Sequence, residues 1–203
     1  LDSTSVYSTR NFLGGRAAMI VYNLNNELFP TRGVDWRTDI TALAGLRENP
    51  ANLVRLQSDM EIYASLSDPA RLVAVIRLGG GHIFNRQFDY YHALNIGAQN
   101  HLRGFRKNRF AGNSLAYGGL ELRLKLADVR SYILPGSFGI IGFNEAGRVW
   151  LRGESSRKWH YAYGGGLYFI PFELFIMSAT VGFSKEESRL FNFSIGTKLN
   201  LNF

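Results

Sequence analysis

The side chains best suited to chemistry are one loop arginine and two carboxylates on the alternating stretches that follow it. Residues 102 to 112 read Leu-Arg-Gly-Phe-Arg-Lys-Asn-Arg-Phe-Ala-Gly, inside a connection from Asn85 to Asn113 with no evident secondary structure. Connections of this length are uncommon unless they are functional or disordered. Glu121 and Arg123 then fall on one alternating stretch, and Gly142-Phe143-Asn144-Glu145-Ala146-Gly147 on the next. A two-residue period places Glu121, Phe143 and Glu145 on a shared inward face. Inward carboxylates need partners, and Arg103 folding back from the loop supplies one through charge-assisted hydrogen bonds from its planar guanidinium. Such a constellation braces a structure.

Other chemistries lack their signatures. His82, His92, His101 and His160 show no i, i+4 or HExxH spacing, so no metal site is expected. Gly79-Gly80-Gly81 and Gly164-Gly165-Gly166 are followed by no Lys-Ser/Thr and open no helix, and they read as places where strands bend or a side chain crosses closely. No GxSxG elbow is present. The reading is therefore a non-enzyme with no cofactor.

The elements that must carry Glu121 and Glu145 are strands. The last thirteen residues set Phe191, Phe193, Ile195, Thr197, Leu199, Leu201 and Phe203 on one face and Asn192, Ser194, Gly196, Lys198, Asn200 and Asn202 on the other. A face of that length, apolar and uncharged, fits a strand with hydrocarbon outside and water inside. Residues 34–46, 53–66 and 115–126 alternate as strongly; 17–26, 71–84, 138–150, 160–172 and 174–184 do so with glycines or apolar pairs blurring the period. Short turns, with Pro30, Pro69, Pro135 and Pro171 in or beside them, alternate with mostly longer loops. Outer-membrane barrels have short periplasmic turns, which orients Phe203 toward the periplasm. Nine strands counted back from there leave a tenth expected, in Ser3 to Phe12 or in sequence outside this chain.

Composition narrows the class. In 203 residues with 46% apolar and 19% charged side chains, no run approaches the roughly 18 apolar residues of a spanning helix. The 22 glycines and 14% aromatics suit turn-linked strands, with Trp150, Trp159, Tyr161, Tyr163 and Tyr168 expected in interfacial girdles. No cysteine is available for disulfides or a thiolate site. The net charge of +7 is spread over polar strand faces (Arg55, Arg77, Arg123, Lys125) and the long loop (Arg103, Arg106, Lys107, Arg109). That distribution fits a hydrated basic lumen and provides no groove-reading helix or stacking platform, so nucleic acid is not an expected partner. The start at Leu1 implies a processed form or a piece of a longer chain.

Taken in order, Leu102 to Phe105, Glu121, Gly142 to Gly147 and the terminal Phe203 resemble the hallmarks of the BamA/TamA-type outer-membrane insertases and translocases, the bacterial surface antigen family; the turn Phe29 to Gly33 (FPTRG) adds to the likeness. The resemblance runs from about Asn23 to the end. It implies that Arg103, on a tip completed by Gly104 and Phe105, docks on Glu121, Phe143 and Glu145 beside Gly147, with Phe191, Phe193, Leu199, Leu201 and Phe203 on a seam strand. Glu145 replaces the family's usual Asp. The POTRA repeats of most members are absent from residues 1–203, which are expected to be barrel throughout.

The sequence thus predicts an all-β, transmembrane antiparallel β-barrel in the outer membrane of a Gram-negative bacterium. It is either the C-terminal eight to ten strands of a larger barrel or a short barrel completed by oligomerisation, because an eight-strand barrel is filled by its own side chains and has no room for the loop. The expected partners are outer-membrane lipid, client outer-membrane or exported proteins, and either a second copy or the N-terminal part of a longer chain. The implied role is assembly or export of proteins at that membrane. A passive pore and an anchor for an upstream enzymatic or binding domain are the alternatives.

Overall fold

The computed structural model describes residues 11–46, 52–85, 88, 90–98, 101–153 and 158–197. Nine long strands follow one another as a meander: β1 (Phe12–Leu24), β2 (Gly33–Gly45), β3 (Leu53–Ser65), β4 (Leu72–Ile83), β7 (Ser114–Val129), β8 (Gly136–Trp150), β9 (His160–Pro171), β10 (Phe175–Ser184) and β11 (Leu190–Thr197). Each pairs antiparallel with its neighbours. The connection from β4 to β7 carries a second, two-stranded sheet, β5 (Leu94–Ile96) with β6 (Phe110–Gly112), after a single 3-10 turn at Tyr90–His92. This corrects the expectation that Asn85 to Asn113 lacks secondary structure. Three-residue strands leave too short a period to read, and this pair is stabilised by packing against the wall behind it.

Alternation sorts the wall as expected. Leu120 and Leu122 of β7, Ile140 of β8, Leu167 of β9 and Phe191, Phe193 and Ile195 of β11 are exposed on the outer face. Leu115, Tyr117 and Glu121, with Ile141, Phe143 and Glu145, are buried on the inner one. Strand register joins inward residues into rows, one of which runs Asp35, Glu61, Arg77, Gly119, Glu145. Gly119 leaves the gap in that row: a Cβ there would sit 3.1 Å from Cγ of Glu145.

Three expectations need correction or fall elsewhere. Tyr168 is not a girdle residue. It lies inward, 2% exposed, stacked on Phe29 of the β1–β2 turn with ring centroids 4.9 Å apart. Its position is even in β9, whereas Tyr161 and Tyr163 are odd and point outward, and Gly139 across the pair clears the space, since a Cβ there would come 2.4 Å from the Tyr168 ring. Phe12 belongs to β1, which starts earlier than residue 17, and the rest of the expected tenth strand before Asn11 lies outside the described residues, as do Leu199, Leu201 and Phe203. Replacing Gly139 by Ala is expected to lower the denaturation midpoint of the folded protein in detergent micelles by the equivalent of about 1–3 kcal/mol, the usual cost of overpacking; an unchanged midpoint would show that the turn does not need Tyr168 beneath it.

The FPTRG turn therefore reaches from β1 across the concave side to β9, packing Leu28 and Phe29 against Ile141, Phe143, Tyr168 and Ile170. Among the described strands, β1 and β11 each have one neighbour only. Nine antiparallel strands are an odd number, so these two edges run in the same direction.

Candidate functional site: a docked arginine behind the terminal hairpin

The loop is seated by its apolar residues. Leu102 and Phe105 are fully buried in a cluster with Leu53, Ile83, Leu94, Ile96, Leu115, Tyr117 and Ala162. Glycines make the seat: a Cβ on Gly147 would meet Cδ1 of Ile96 at 2.5 Å, and one on Gly104 would meet the Phe183 carbonyl oxygen at 2.6 Å. Only residues without side chains let the loop and the wall approach this closely. Gly147 and Gly104 are thus contact points of the dock.

With Leu102 and Phe105 in place, Arg103 between them is directed at the wall. Its Nη1 lies 2.7 Å from Oε2 of Glu121 and its Nη2 2.7 Å from Oε1 of Glu145. Arg103 Nε donates to Oε1 of Glu145 at 2.7 Å, and its backbone N–H donates to Oε2 of the same carboxylate at 2.8 Å. The guanidinium carbon stands 3.7 Å above the centre of the Phe143 ring. Ion pairing to two carboxylates and stacking on an aromatic face fit a planar guanidinium and would not fit an ammonium.

The expected group of Arg103, Glu121, Phe143 and Glu145 is therefore assembled, with Glu121 2% and Glu145 4% exposed. Glu145 in place of Asp does not prevent the contact, because its extra methylene lies over Gly119. The structure adds two cations. Arg123 Nε donates to Oε1 of Glu121 at 2.6 Å and Arg77 Nη1 to Oε2 at 2.9 Å, so three arginines share one carboxylate. Arg77 also donates to Glu61 at 3.0 Å, and the Tyr63 hydroxyl donates to that same carboxylate. A buried network of this kind is stable only when every charge in it is answered.

Around this core the loop makes further polar contacts. The His101 ring stacks on Tyr117 at 3.9 Å between centroids, and the Tyr117 hydroxyl donates to Asp59. Burial holds the His101 imidazole below its ordinary pKa, outweighing the opposite pull of Asp59. On the far side, Glu187 from the β10–β11 connection accepts the Arg106 backbone N–H at 2.9 Å and Arg109 Nε at 2.7 Å. Beside it, burial works against the Glu186 carboxylate, but contacts with His160 and Lys158 prevail and hold its pKa low. Asn192 of β11 donates from Nδ2 to the Arg103 carbonyl at 2.9 Å. Sequence reading missed Glu61, Asn192 and Glu187 as members of the site and assigned Arg77 and Arg123 only to a polar face. Register was the signal for one of them, since Glu61 and Arg77 lie level on neighbouring strands; Asn192 and Glu187 meet the loop only through the fold.

Below the dock, a cavity of about 470 Å³ extends between the two sheet edges, lined by Tyr22 and Leu24 of β1, Ser194 of β11, and Arg103, Glu121 and Arg123. A curved antiparallel wall, apolar outside, charged inside and holding a folded-in loop, defines an outer-membrane-type β-barrel. Residues 8–199 match the model of the Omp85 superfamily domain, and the chain belongs to that superfamily. Among solved structures it is similar to BamA from Haemophilus ducreyi lacking POTRA domains 1–3, with a TM-score of 0.68 and 16% identity over 90% of this chain. The chain spans 42% of that protein, and the likeness is one of fold. No curated protein sequence matches it.

Proposed function

We propose that this chain forms the C-terminal wall of an outer-membrane insertase or translocase barrel, acting non-covalently on client outer-membrane or exported proteins. The observation that carries the proposal is the placement of the docked Arg103 directly behind an edge that has no partner among the described strands: its guanidinium is bound to the β7–β8 pair and its carbonyl to β11. Unpaired backbone groups in lipid cost several kcal/mol each, so an edge strand such as β11 captures any strand that offers hydrogen bonds. This is β-augmentation, driven by the absence of water.

Strand direction bears on how the barrel is completed. Two copies inserted the same way up would bring β11 of one beside β1 of the other, and the nine described strands make that pairing parallel. An odd number of additional strands gives antiparallel pairing at both edges. On the described strands, completion by further strands is therefore favoured over a second copy. A passive pore is disfavoured, because the loop occupies the concave side.

A photo-crosslinking residue at Phe193 of β11, in the protein as expressed in its native membrane, is expected to capture nascent outer-membrane proteins or strands of the same polypeptide. Capture of neither by a correctly folded, membrane-inserted protein would remove the insertase reading, and crosslinks between two copies would reverse the strand-count argument.

A further inference from the structure

We infer that Asn192 is the positioning residue that couples the docked loop to the edge strand, so that the Arg103 loop and the terminal hairpin β10–β11 hold or release together. Three contacts join this hairpin to the loop. Asn192 donates its amide to the Arg103 carbonyl at 2.9 Å. Glu187, at the hairpin tip, clamps the Arg106 N–H and the Arg109 guanidinium. Gly182 of β10 lies so close beneath the loop that a Cβ would fall 2.4 Å from the Arg103 carbonyl oxygen.

These contacts fall where the sheet is least supported. Among the described strands β11 has a neighbour on one side only, and its outer residues Phe191 and Phe193 are 82% and 64% exposed. Its inner face carries Ser194 and Gly196, which add little packing, and the Ser194 hydroxyl bonds back to Ser178 of β10. The inward side chain that leaves the hairpin from β11 toward the loop is Asn192. Its register partner is the buried Thr180, one step below Gly182 on the same face. Arg103 consequently faces two ways. Its side chain is bound to β7 and β8 and its carbonyl to β11, so loss of either grip weakens the other, and linkage makes this coupling reciprocal. The coupling rests on this geometry alone; its use in opening a seam to clients rests on the insertase reading.

The test is hydrogen exchange on the full protein in lipid nanodiscs, followed by mass spectrometry. Asn192→Asp keeps the side-chain shape and removes the donor. It is expected to speed exchange roughly tenfold, the worth of about one hydrogen bond, at two separated places: the β10–β11 amides, and the Leu102 and Phe105 amides that donate to Gly97 and Leu102. Arg103→Ala is expected to speed the same β10–β11 amides, and the double variant no more than the faster single one. Asn192→Gln, which keeps a donor, should restore part of the protection. Gly182→Ala, which wedges the loop off the hairpin, should act like Asn192→Asp, whereas Ser194→Ala, which touches only β10, should leave the loop amides unchanged. If Asn192→Asp accelerates its own strand and leaves Leu102 and Phe105 at their original rates, or if the two variants add independently, the coupling does not exist. Client crosslinking at Phe193 is scored separately, so its failure with coupling intact would count against the insertase reading alone.

Discussion

Replacing Arg103 with Ala is expected to cost about 3–5 kcal/mol of barrel stability, the range for removing one partner of a buried ion pair. Glu145 is the reason. Arg77 and Arg123 still neutralise Glu121 after the substitution, whereas Glu145, 4% exposed, loses the side chain that binds it and keeps only the Arg103 backbone N–H. Leu102 and Phe105 would continue to seat the loop, so the fold is weakened before it is lost. Arg103→Lys restores charge without the fork and the flat face over Phe143, and should recover only part of the loss. Urea unfolding of the purified protein in micelles, read by the mobility difference between heated and unheated samples, measures both. A midpoint unchanged in Arg103→Ala would mean that the guanidinium does not brace the wall.

Glu121→Gln should be as damaging and for the opposite reason. Three guanidiniums converge on this one carboxylate, at 2.6, 2.7 and 2.9 Å. A glutamine of the same size provides one acceptor oxygen and no charge, leaving Arg77, Arg103 and Arg123 to repel one another with Glu61 and Glu145 as the remaining counter-ions. A loss of about 3–5 kcal/mol is expected, exceeding that of Glu145→Gln, which leaves only one arginine short of a partner. The excess of cations predicts a rescue: Arg123→Gln added to Glu121→Gln should be more stable than Glu121→Gln alone, a sign opposite to that of two independent losses. The same denaturation assay reads the cycle. A double variant worse than the sum of its parts would show that Arg123 acts by packing, since its guanidinium also stands 5.2 Å from the Phe29 ring.

The two outcomes together separate bracing from client handling. Both variants are expected to weaken the wall, and the contacts of the terminal hairpin with the loop, through Asn192, Glu187 and Gly182, connect that weakness to the edge where another strand would pair. In the proposed insertase, a braced lumen beside a weakly held edge would let the barrel open at one place while remaining folded elsewhere.

The strands and their faces were legible in the sequence, because a strand half in oil and half in water must alternate, and Leu120, Leu122 and Leu124 against Glu121, Arg123 and Lys125 can be sorted with no knowledge of neighbours. The docking of Arg103 was also readable, since two inward carboxylates within reach of a loop arginine have few other ways to be answered. Only the tertiary structure decided which further groups join them. Arg77 reaches Glu121 across a strand pair, Glu187 meets Arg106 and Arg109 from 81 and 78 positions away, and Asn192 finds a carbonyl. Tyr168 was misplaced for a related reason: its aromatic type suits an interface, but strand parity and the gap over Gly139 turn it inward against Phe29. Alternation is a property of one strand and its solvent, whereas register and curvature are properties of all nine together, and contact between distant residues depends on the second.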